Sequence, residues 1–300
     1  MSEPGEPKRE RIVLLLNSAS GRGRAAGVAD AITRALRSHG VAVETLDVHD
    51  DPTLEPGAQD AIVVVGGDGT LHHSLGTILD ADAPVRVVPC GTENLFAREF
   101  GWTACVERIV EDVARGKERR VDVALRDGEP FAVMLSVGPD AAVVSRVAAN
   151  RAGAIRHLSY VRPIIAETLA PTLPRLSVTV DGERIVNETH GWLVVANSRQ
   201  YAVRIDPAPD ARIDDGLLDV VFVPARSGLS AAAFVVCSRL RLRARRRSVV
   251  RCTGREVEVS AFDHPAPTQC DGEVGSPIAP SIPVRLTVEA GALRVVSAAT

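Results

Sequence analysis

The sequence predicts a two-domain α/β protein, in which a parallel sheet covered by helices precedes a β-sandwich. Residues 11 to about 110 alternate short apolar runs with helical stretches, which is the pattern of a parallel sheet. From Val121 onward the pattern changes to strands joined by turns. The chain has 300 residues, 45% of them hydrophobic, and this is enough to form two hydrophobic cores.

Apolar runs define the predicted sheet of the first domain. They lie at residues 12–16, 41–46, 61–65 and 85–88. An alanine-rich amphipathic stretch from Ala25 to Leu36 predicts the first covering helix, and another helix is expected to begin at Leu71. Because ligands of open parallel sheets bind at the carboxyl edge, the loops that follow these strands are expected to form one polar crevice.

The second domain is predicted from shorter runs and hairpin turns, with a junction near residue 124. Its strands are expected at Val121–Leu125, Phe131–Val137, Leu176–Val180, Trp192–Ala196 and Leu218–Val223. Asp127-Gly128 and Asp181-Gly182 are turn dipeptides typical of tight hairpins. Helices are predicted around residues 155–169 and 227–245, and together these elements favour a β-sandwich.

The loop after the third apolar run reads Gly66-Gly67-Asp68-Gly69-Thr70. Glycines lack a Cβ atom, so backbone N–H groups can wrap an anionic ligand. A carboxylate at Asp68 can meet a cation that bridges phosphates, and the Thr70 hydroxyl can donate to a phosphate oxygen. The helix that follows would direct the positive end of its dipole at the same place. The loop predicts a phosphate site, and the alternative is a simple tight turn.

Two further loops have the same strand, glycine loop and helix order. Asn17 to Gly23 follows the first strand and contains Ser20 and Gly21. Pro89 to Arg98 follows the fourth strand and contains Gly91, Thr92 and Asn94. Neither loop has the lysine and spacing of a P-loop or the GxGxxG pattern. Three such loops at neighbouring strand ends favour a ligand site over an isolated turn.

Charge and cysteine content narrow the class of protein. The formal net charge of −3 argues against a nucleic-acid binder, which usually has a basic excess. Five scattered cysteines without a CxxC pair indicate reduced thiols in a cytosol. Met1 to Arg11 is charged and does not resemble a signal peptide. The longest apolar run, Leu229–Cys237, is far shorter than the ~20 residues that span a bilayer, so a soluble cytoplasmic protein is expected.

At this point the motifs resemble those of a known family. The three loops, read as NSASGRG, GGDGTLHHSLGTIL and PCGTENLFAREFG, resemble the diacylglycerol-kinase catalytic domain of bacterial lipid kinases, sphingosine kinases and ceramide kinases. Segments of the second half resemble that family's second domain, namely 121–124, 136–141, 214–219, 270–273 and 290–295. GGDGT alone is shared with NAD kinases and, loosely, phosphofructokinases, but the ordered set is more specific.

The resemblance implies an activity and a division of the chain. The first domain, residues 1–124 completed by a returning strand at 282–300, would be a Rossmann-like nucleotide-binding domain of the NAD kinase/phosphofructokinase-like type. Residues 125–281 would be the β-sandwich that takes the lipid. The activity would be transfer of the γ-phosphoryl group of ATP, with Mg²⁺, to the hydroxyl of a diacylglycerol-like or sphingoid-like membrane lipid.

The resemblance also assigns catalytic residues. Glu273, in the turn Asp271-Gly272-Glu273, would accept the hydroxyl proton, and Asp68 would help to hold the Mg²⁺ of the nucleotide. Asp271 and Asp122 would belong to the same acidic cluster. The alternative for the Asp-Gly-Glu segment is an ordinary surface hairpin, because a glycine between two acids also suits a sharp turn.

Binding residues follow in the same way. The nucleotide-binding set is Asn17, Ser20, Gly21, Thr45, Gly66, Gly67, Asp68, Gly69, Thr70, Leu71, His72, Gly91, Thr92 and Asn94. A structural Mg²⁺ in bacterial relatives would correspond here to the Asp215 carboxylate with the carbonyl oxygens of Arg212 and Leu217. The alternative for this acidic turn is a hairpin that binds no metal.

Six arginines between Arg239 and Arg247 follow an apolar helical run. They can attract anionic membrane at about 1 kcal/mol per charge near the surface, or they can be the solvated end of a helix. A lipid kinase must reach a substrate in the membrane, so transient contact with the inner membrane surface is expected. Dimers occur in the family, and a homodimer is therefore an open possibility that no surface stripe supports.

One segment departs from the family pattern. His49 to Asp60 is short and interrupted by prolines where the family usually has a helix, so the wall near the base and ribose of the nucleotide can differ.

Two other functions remain open. A kinase of the NAD kinase type is one alternative, with Asn187-Glu188 as its only motif and no Gly/Ser/Thr-rich run after it. A lipid-binding protein of the same fold without catalysis is another.

Overall fold

The computed structural model describes residues 9–149, 157–239 and 248–297. The chain divides into two compact units, Met1–Val121 with Gly291–Thr300, and Asp122–Ala290. The sequence analysis placed the boundaries at 124/125 and 281/282 instead. Both observed boundaries fall inside continuous strands, Glu118–Arg126 and Val284–Val296, where neither composition nor a turn marks the passage between units.

The first unit is a parallel sheet with helices between its strands. Its elements are β1 Arg11–Leu16, α1 Arg24–Ser38, β2 Ala42–Asp47, β3 Ala61–Gly66, α2 Asp68–Ala81, β4 Val85–Pro89, α3 Leu95–Glu99 and α4 Val106–Arg115. The strand order is β4-β3-β1-β2, and the last strand, β15 (Val284–Val296), adds to β4 through Val295 and Val85. The predicted alternation of strands and helices in this half is confirmed.

Helix α1 shows how the apolar periodicity becomes a core. Ala25, Ala29, Ile32 and Leu36 recur on one face and are buried against β1 and β3. Removing a side chain such as Ile32 from water contributes about 1.5–3 kcal/mol, which is more than helix propensity supplies over the same turn.

The prediction that the next helix begins at Leu71 was wrong, because α2 begins at Asp68. Gly67 is the N-cap residue with an extended backbone, and Asp68 and Gly69 form the first helical turn. Glycine has a low helix propensity, and its presence in the first turn made this turn resemble a loop. The earlier start brings the N-terminal amides of the helix into the glycine motif itself.

The second unit, over its described residues, consists of antiparallel strands with three α-helices. Its elements are β5 Glu118–Arg126, β6 Glu129–Phe131, β7 Met134–Val137, α5 Pro139–Ala149, α6 Val161–Leu169, β8 Arg175–Val180, β9 Glu183–Ala196, β10 Leu218–Pro224, α7 Gly228–Arg239, β11 Val250–Gly254, β12 Glu256–Ala261, β13 Ala266–Cys270, β14 Glu273–Ile278 and β15. β5 and β15 also contribute residues to the first unit.

Two sets of strands share the long strand β9. Its first half pairs with β8, which continues through β12 to β15. Its second half lies between β7 and β10, with β13 and β14 beyond β7 and β11 beyond β10. Apolar side chains from both sets form one buried cluster that includes Phe131, Leu193 and Leu286. The predicted β-sandwich character of this half is confirmed.

The hairpin predictions at Asp127-Gly128 and Asp181-Gly182 are confirmed. All four residues have positive φ angles, as a two-residue turn of this type requires. The single strand predicted at Phe131–Val137 was wrong, because β6 and β7 are separated at Ala132 and Val133. The N–H groups of these two residues donate to a carboxylate and not to a neighbouring strand.

The helix predicted at 227–245 is present as α7 as far as Arg239, and residues 240–247 lie outside the described residues. The helix predicted at 155–169 is described from residue 157, first as a 3-10 turn and then as α6. Cys90, Cys105, Cys252 and Cys270 are free thiols, as the scattered cysteines predicted.

Candidate functional site

The three predicted loops of the first unit begin side by side. Leu16, at the end of β1, pairs with Val65 of β3, and Gly66 pairs with Pro89 at the end of β4. The N–H of Cys90 donates to the Gly66 carbonyl at 2.8 Å. The carboxyl edge of this sheet therefore brings together the loops that the sequence analysis expected to share one crevice.

Thr70 ties the first loop to the second. Its buried Oγ1 accepts hydrogen bonds from Asn17 Nδ2 at 3.2 Å and from the Gly67 N–H at 3.3 Å. A Cβ atom on Gly66 would lie 2.3 Å from that oxygen, so only glycine fits there. The Oδ1 of Asn17 is buried and has no hydrogen-bond partner in the described part of the chain. A buried acceptor without a partner is costly, and a bound donor or cation would satisfy it.

Gly67 and Gly91 bring the second and third loops into backbone contact. A Cβ on Gly67 would lie 2.9 Å from the Gly91 Cα, and a Cβ on Gly91 would lie 2.7 Å from the Gly67 Cα. Asn94 fixes the third loop, because its Oδ1 accepts from the Gly91 N–H at 2.8 Å and its Nδ2 donates to the Gly91 carbonyl at 3.0 Å. The result is a surface of backbone at the N-terminus of α2, where an anion is favoured.

Asp68 is oriented by the third loop. Its Oδ1 accepts from the Phe96 N–H at 3.1 Å, near the start of α3. Phe96 is buried, so the donor is held in place by packing. Gly21, in the first loop, has a φ of +58°, and a Cβ there would lie 2.7 Å from the Cys90 carbonyl oxygen. Each loop is thus in contact with a neighbouring loop.

Some predicted nucleotide residues lie elsewhere in the unit. Thr45 is exposed on the edge strand β2 opposite Leu14, two residues before the strand ends. The Leu71 side chain is buried in the core, and its N–H donates to the Gly67 carbonyl at 3.2 Å. Ser20 in the first loop is partly exposed, as are Gly69 and His72 in the first turns of α2, whereas Thr92 in the third loop is exposed. The roles of these four residues stay predictions.

Sequence reasoning missed Asp47, the last residue of β2. Its carboxylate accepts from the His49 N–H at 3.0 Å and from Ser18 in the first loop. These bonds, with that from His49 the largest, lower the pKa of Asp47. The signal that could have identified Asp47 as a candidate site residue is its position, because it is an acid at the end of the second strand of an α/β sheet.

In the second unit, the Asp-Gly-Glu segment forms the turn between β13 and β14. Asp271 and Gly272 have φ angles of 52° and 88°, and Cys270 pairs with Glu273 across the turn. Glu273 is partly exposed at the start of β14. A left-handed conformation at two successive residues explains why glycine is present.

The carboxylate of Asp271 is turned inward and is 4% exposed. It accepts hydrogen bonds from the N–H groups of Ala132 at 2.8 Å, Val133 at 2.7 Å and Met134 at 3.1 Å. This geometry makes Asp271 a clamp that attaches the turn to the segment between β6 and β7. The Asp271 carboxylate thus holds the turn that carries Glu273, and its catalytic role stays a prediction.

Asp122 is a second clamp of the same kind. It is 3% exposed, and its Oδ2 accepts from the Gly216 N–H at 2.7 Å in the predicted metal turn. The Asp122 N–H donates to the Ile213 carbonyl at 2.8 Å. The carbonyl of Asp122 also accepts from the buried Asn197 side chain at 2.9 Å. The acidic turn is thus attached to β5 by buried hydrogen bonds.

The predicted metal residues lie together on that turn. The Oδ1 of Asp215 accepts from the Leu217 N–H at 3.1 Å, and Arg212 is paired with Asp214 at 3.5 Å. Burial raises the pKa of the nearby Asp219 to about 6, with additional contributions from the charges of Asp215 and Asp210. Within the described residues, no three His, Cys, Asp or Glu side chains converge on a metal position. A cation here would therefore depend mainly on backbone carbonyls.

Arg239, the first residue of the predicted basic segment, is exposed at the end of α7, and the remainder of that segment lies outside the described residues. None of the helices within 9–149, 157–239 and 248–297 has the length and hydropathy that crossing a bilayer requires.

Comparison with known proteins gives a consistent result. Residues 11–125 match the diacylglycerol kinase catalytic domain, and residues 133–297 match the YegS C-terminal NAD kinase β-sandwich-like domain. A diacylglycerol kinase from Mycobacterium tuberculosis is 29% identical over 230 residues, covering 72% of this chain and 74% of the relative. A probable lipid kinase YegS-like protein from Enterobacter sp. is 27% identical over 173 residues, covering 54% and 55%.

Solved structures agree on the fold. A diacylglycerol kinase from Bacillus anthracis superposes with a TM-score of 0.68 at 17% identity, covering 97% of this chain and 98% of the other. Yeast NADH kinase complexed with NADH superposes with a TM-score of 0.54 at 12% identity, covering 100% and 88%. The nucleotide-binding fold and the β-sandwich predicted from the sequence are confirmed. With both of its halves matched in order, the chain belongs to the lipid kinase family that joins a diacylglycerol kinase catalytic domain to a YegS C-terminal domain.

Proposed function

We propose that this protein transfers the γ-phosphoryl group of ATP, with Mg²⁺, to the hydroxyl of a diacylglycerol-like or sphingoid-like membrane lipid. The observation that carries the proposal is the backbone contact between Gly67 and Gly91 at the N-terminus of α2. It leaves two glycine loops without side chains at the place where a helix favours phosphate. The match of both halves of the chain to lipid kinase domains supports the acceptor class.

The three loops form a site that suits the phosphates of a nucleoside triphosphate. Backbone N–H groups of the glycine motif would bind phosphate oxygens, and the buried Oδ1 of Asn17 offers an acceptor that needs a partner. Asp68, oriented by the Phe96 N–H, would hold the cation of the nucleotide. When bound, Mg²⁺ neutralises charge on the phosphates during transfer.

Glu273 would accept the proton of the lipid hydroxyl. It is the side chain of the turn that stays accessible, whereas the Asp271 carboxylate is occupied by three backbone N–H groups. A carboxylate is a suitable proton acceptor for a hydroxyl whose oxygen attacks a phosphoryl group. Asp122 and Asp271 would act on the reaction by fixing their turns.

A structural Mg²⁺ would occupy the acidic turn through the Asp215 carboxylate and the carbonyls of Arg212 and Leu217. The hydrogen bond from the Leu217 N–H to Asp215 Oδ1 supports this proposal, because it holds that carboxylate on the turn that carries both carbonyls. Hard cations take such mixed oxygen ligands and complete their shell with water.

Helices α6 and α7 of the second unit, which contact each other, would form the membrane-binding surface. Apolar side chains are exposed on both helices, namely Val161, Ile164, Ile165, Leu169, Leu229 and Val236. Residues 225–251 contain eight arginines and no acidic residue. Exposed apolar groups beside positive charge fit an anionic bilayer, and so we propose a cytoplasmic protein with transient contact at the inner membrane surface.

The test is transfer of ³²P from γ-labelled ATP into a panel of lipids in mixed micelles. In the presence of Mg²⁺, the wild-type protein should transfer ³²P to a lipid. The activities of E273Q and of D68N should each be at least 100-fold lower. Both variants should retain the wild-type circular dichroism spectrum and melting temperature. Labelling of NAD and no lipid would identify the NAD kinase type instead, and ATP binding without transfer to any acceptor would favour the non-catalytic lipid-binding protein.

Membrane contact is tested separately by sedimentation with vesicles. Phosphatidylglycerol vesicles should bind the protein, and neutral phosphatidylcholine vesicles should bind it at least tenfold less. I164S/I165S should weaken the binding without changing ATP affinity. Equal binding to both vesicle types would exclude the electrostatic part of the proposal.

A further inference from the structure

We propose that Gln269 is a positioning residue for Glu273, and that Asp140, Ser136 and Tyr201 hold Gln269 in the orientation this requires. The inference rests on the function proposed above, because Glu273 is taken as the proton acceptor. All five residues belong to the second unit. The contacts that carry the inference are buried hydrogen bonds at both ends of one amide side chain.

The oxygen end of Gln269 holds the turn. Gln269 is 1% exposed on β13, and its Oε1 accepts from the Gly272 N–H at 2.7 Å. Gly272 directly precedes Glu273, and its φ of 88° is available only because it has no side chain. The bond therefore fixes the peptide from which the Glu273 side chain projects.

The nitrogen end of Gln269 meets a carboxylate. Its Nε2 donates to Ser136 Oγ at 2.9 Å and contacts Asp140 Oδ2 at 3.4 Å. The Oδ2 of Asp140 already accepts from two hydroxyl groups, so it is an acceptor and the amide directs its NH₂ group at it. The same orientation leaves Oε1 for the Gly272 N–H. Asp140 thus determines which end of Gln269 faces the turn.

Asp140 is itself held by two hydroxyl groups. Ser136 on β7 and the buried Tyr201 both donate to its Oδ2. Burial raises the pKa of Tyr201 well above its ordinary value, with the neighbouring Asp140 charge acting in the same direction. Tyr201 therefore keeps its proton and remains a donor. A chain of hydrogen bonds runs from Tyr201 through Asp140 and Gln269 to the peptide before Glu273.

The arrangement complements the Asp271 clamp. Asp271 binds three N–H groups of the segment between β6 and β7, and this attaches the first residue of the turn. Gln269 attaches the second residue, Gly272. With both turn residues fixed, the Glu273 side chain projects from a backbone held in one conformation, and this reduces the reorganisation that proton acceptance requires.

The experiment compares Q269M with wild type. Methionine preserves length and volume and removes the hydrogen bonds at both ends of the side chain. We expect kcat for lipid phosphorylation to fall 10- to 100-fold while KM for ATP changes less than twofold. Amide hydrogen exchange, followed by mass spectrometry, should be at least tenfold faster at Gly272. T268V is the matched control, because Thr268 is buried on the same strand and hydrogen-bonds Arg126 without touching the turn. It should preserve both kcat and the Gly272 protection.

A second pair of variants separates geometry from charge. D140N keeps an oxygen that accepts from Tyr201 and Ser136, and it should retain at least a third of the wild-type kcat. D140L removes the acceptor and should reproduce the Q269M defect. If D140N is as damaging as D140L, the charge of Asp140 is what matters and the positioning role is overturned.

Exchange at Gly272 requires no substrate, so the two proposals fail in different ways. Unchanged protection in Q269M, or an unchanged kcat despite lost protection, overturns the role of Gln269. If wild type labels no lipid while Q269M loses protection, the hold on the turn is supported and the proposed function is what fails.

Discussion

The two turns that carry the predicted chemistry are built by opposite means. In the first unit, the glycine motif depends on missing side chains, since Gly67 and Gly91 touch through their backbones. In the second unit, the turn before Glu273 depends on buried polar side chains, with Asp271 and Gln269 occupied by backbone N–H groups. The first turn leaves the space around its backbone free of side chains, whereas the backbone of the second turn is hydrogen-bonded to side chains of the protein itself.

The difference follows from what each turn must present. A phosphate site must offer backbone amides to a ligand that arrives from outside, so those amides cannot all be used within the protein. A proton-accepting site must offer one side chain in one place, so the backbone around it is best fixed internally. Substitutions in the two turns should therefore fail differently.

The largest expected effect is at Gly91. In G91A the new Cβ would lie 2.7 Å from the Gly67 Cα, so one of the two loops must move. We expect ATP affinity to fall at least 100-fold, or about 2.7 kcal/mol, by isothermal titration calorimetry.

Gly76, in the middle of α2, is the matched control because a Cβ there has open space. G76A should leave ATP affinity unchanged and stabilise the helix by about 0.5–1 kcal/mol. A G91A protein that binds ATP as tightly as G76A would show that the loop contact is dispensable.

The next effect is at Asp271. D271N replaces a carboxylate that accepts from three N–H groups with an amide whose NH₂ group cannot accept. We expect the second unit to lose about 3 kcal/mol of unfolding free energy in urea, and kcat to fall at least tenfold.

E273Q provides the contrast within the same turn. It should lose activity without loss of stability, because Glu273 is partly exposed. Equal stability of D271N and E273Q would contradict the clamp assignment.

A smaller effect is expected at Thr70. T70V keeps the shape of the side chain and removes the oxygen that accepts from Asn17 and Gly67. We expect roughly tenfold weaker ATP binding, because each lost hydrogen bond contributes about 0.5–1.5 kcal/mol. T77V, on the same helix, should change the affinity less than twofold. If the two variants behave alike, side-chain bonds have no part in shaping the glycine motif.

The smallest expected effect is at Asp219, where a substitution should stabilise the protein instead of weakening it. Its folded pKa of about 6 lies above the ordinary value of 3.8. Folding therefore favours the protonated carboxyl, and the resulting stability is complete below the ordinary pKa and is lost as the pH rises through about 6. D219N should raise the unfolding free energy by about 1 kcal/mol near neutral pH in EDTA, after allowance for solvent screening.

Thermal unfolding across pH checks this expectation. The gain in D219N should shrink as the pH falls below 6 and vanish near the ordinary pKa of an aspartate. A gain that is independent of pH would mean that charge at the acidic turn is not its cause.

Much of the fold could be predicted because short local sequence patterns determine its strands and turns. Apolar runs of four to six residues predicted β1 to β4, and Asp-Gly pairs predicted two hairpins. The interruption of the strand at Ala132 and Val133 could not be predicted in this way. Its cause is the carboxylate of Asp271, which is 138 positions from Val133 in sequence.

The same limit applies to the candidate site. The glycine loops and the Asp-Gly-Glu turn are local motifs, and sequence reasoning found them. Gln269 and Asp140 were missed because their significance depends on a contact across 129 positions. Asp271 and Asp122 were found by resemblance, but their backbone partners became visible only in the structure.

The return of the chain to the first unit has a consequence for biosynthesis. The strand pair of Val295 with Val85, and the bonds of Arg294 to Glu118, add the final strand to a sheet that was begun near residue 11. A ribosome that adds about 5–20 residues per second releases the whole second unit before it releases that strand. The first unit, although most of it is made first, is therefore completed late, and a nascent chain should acquire its full ATP affinity only after β15 has left the ribosome.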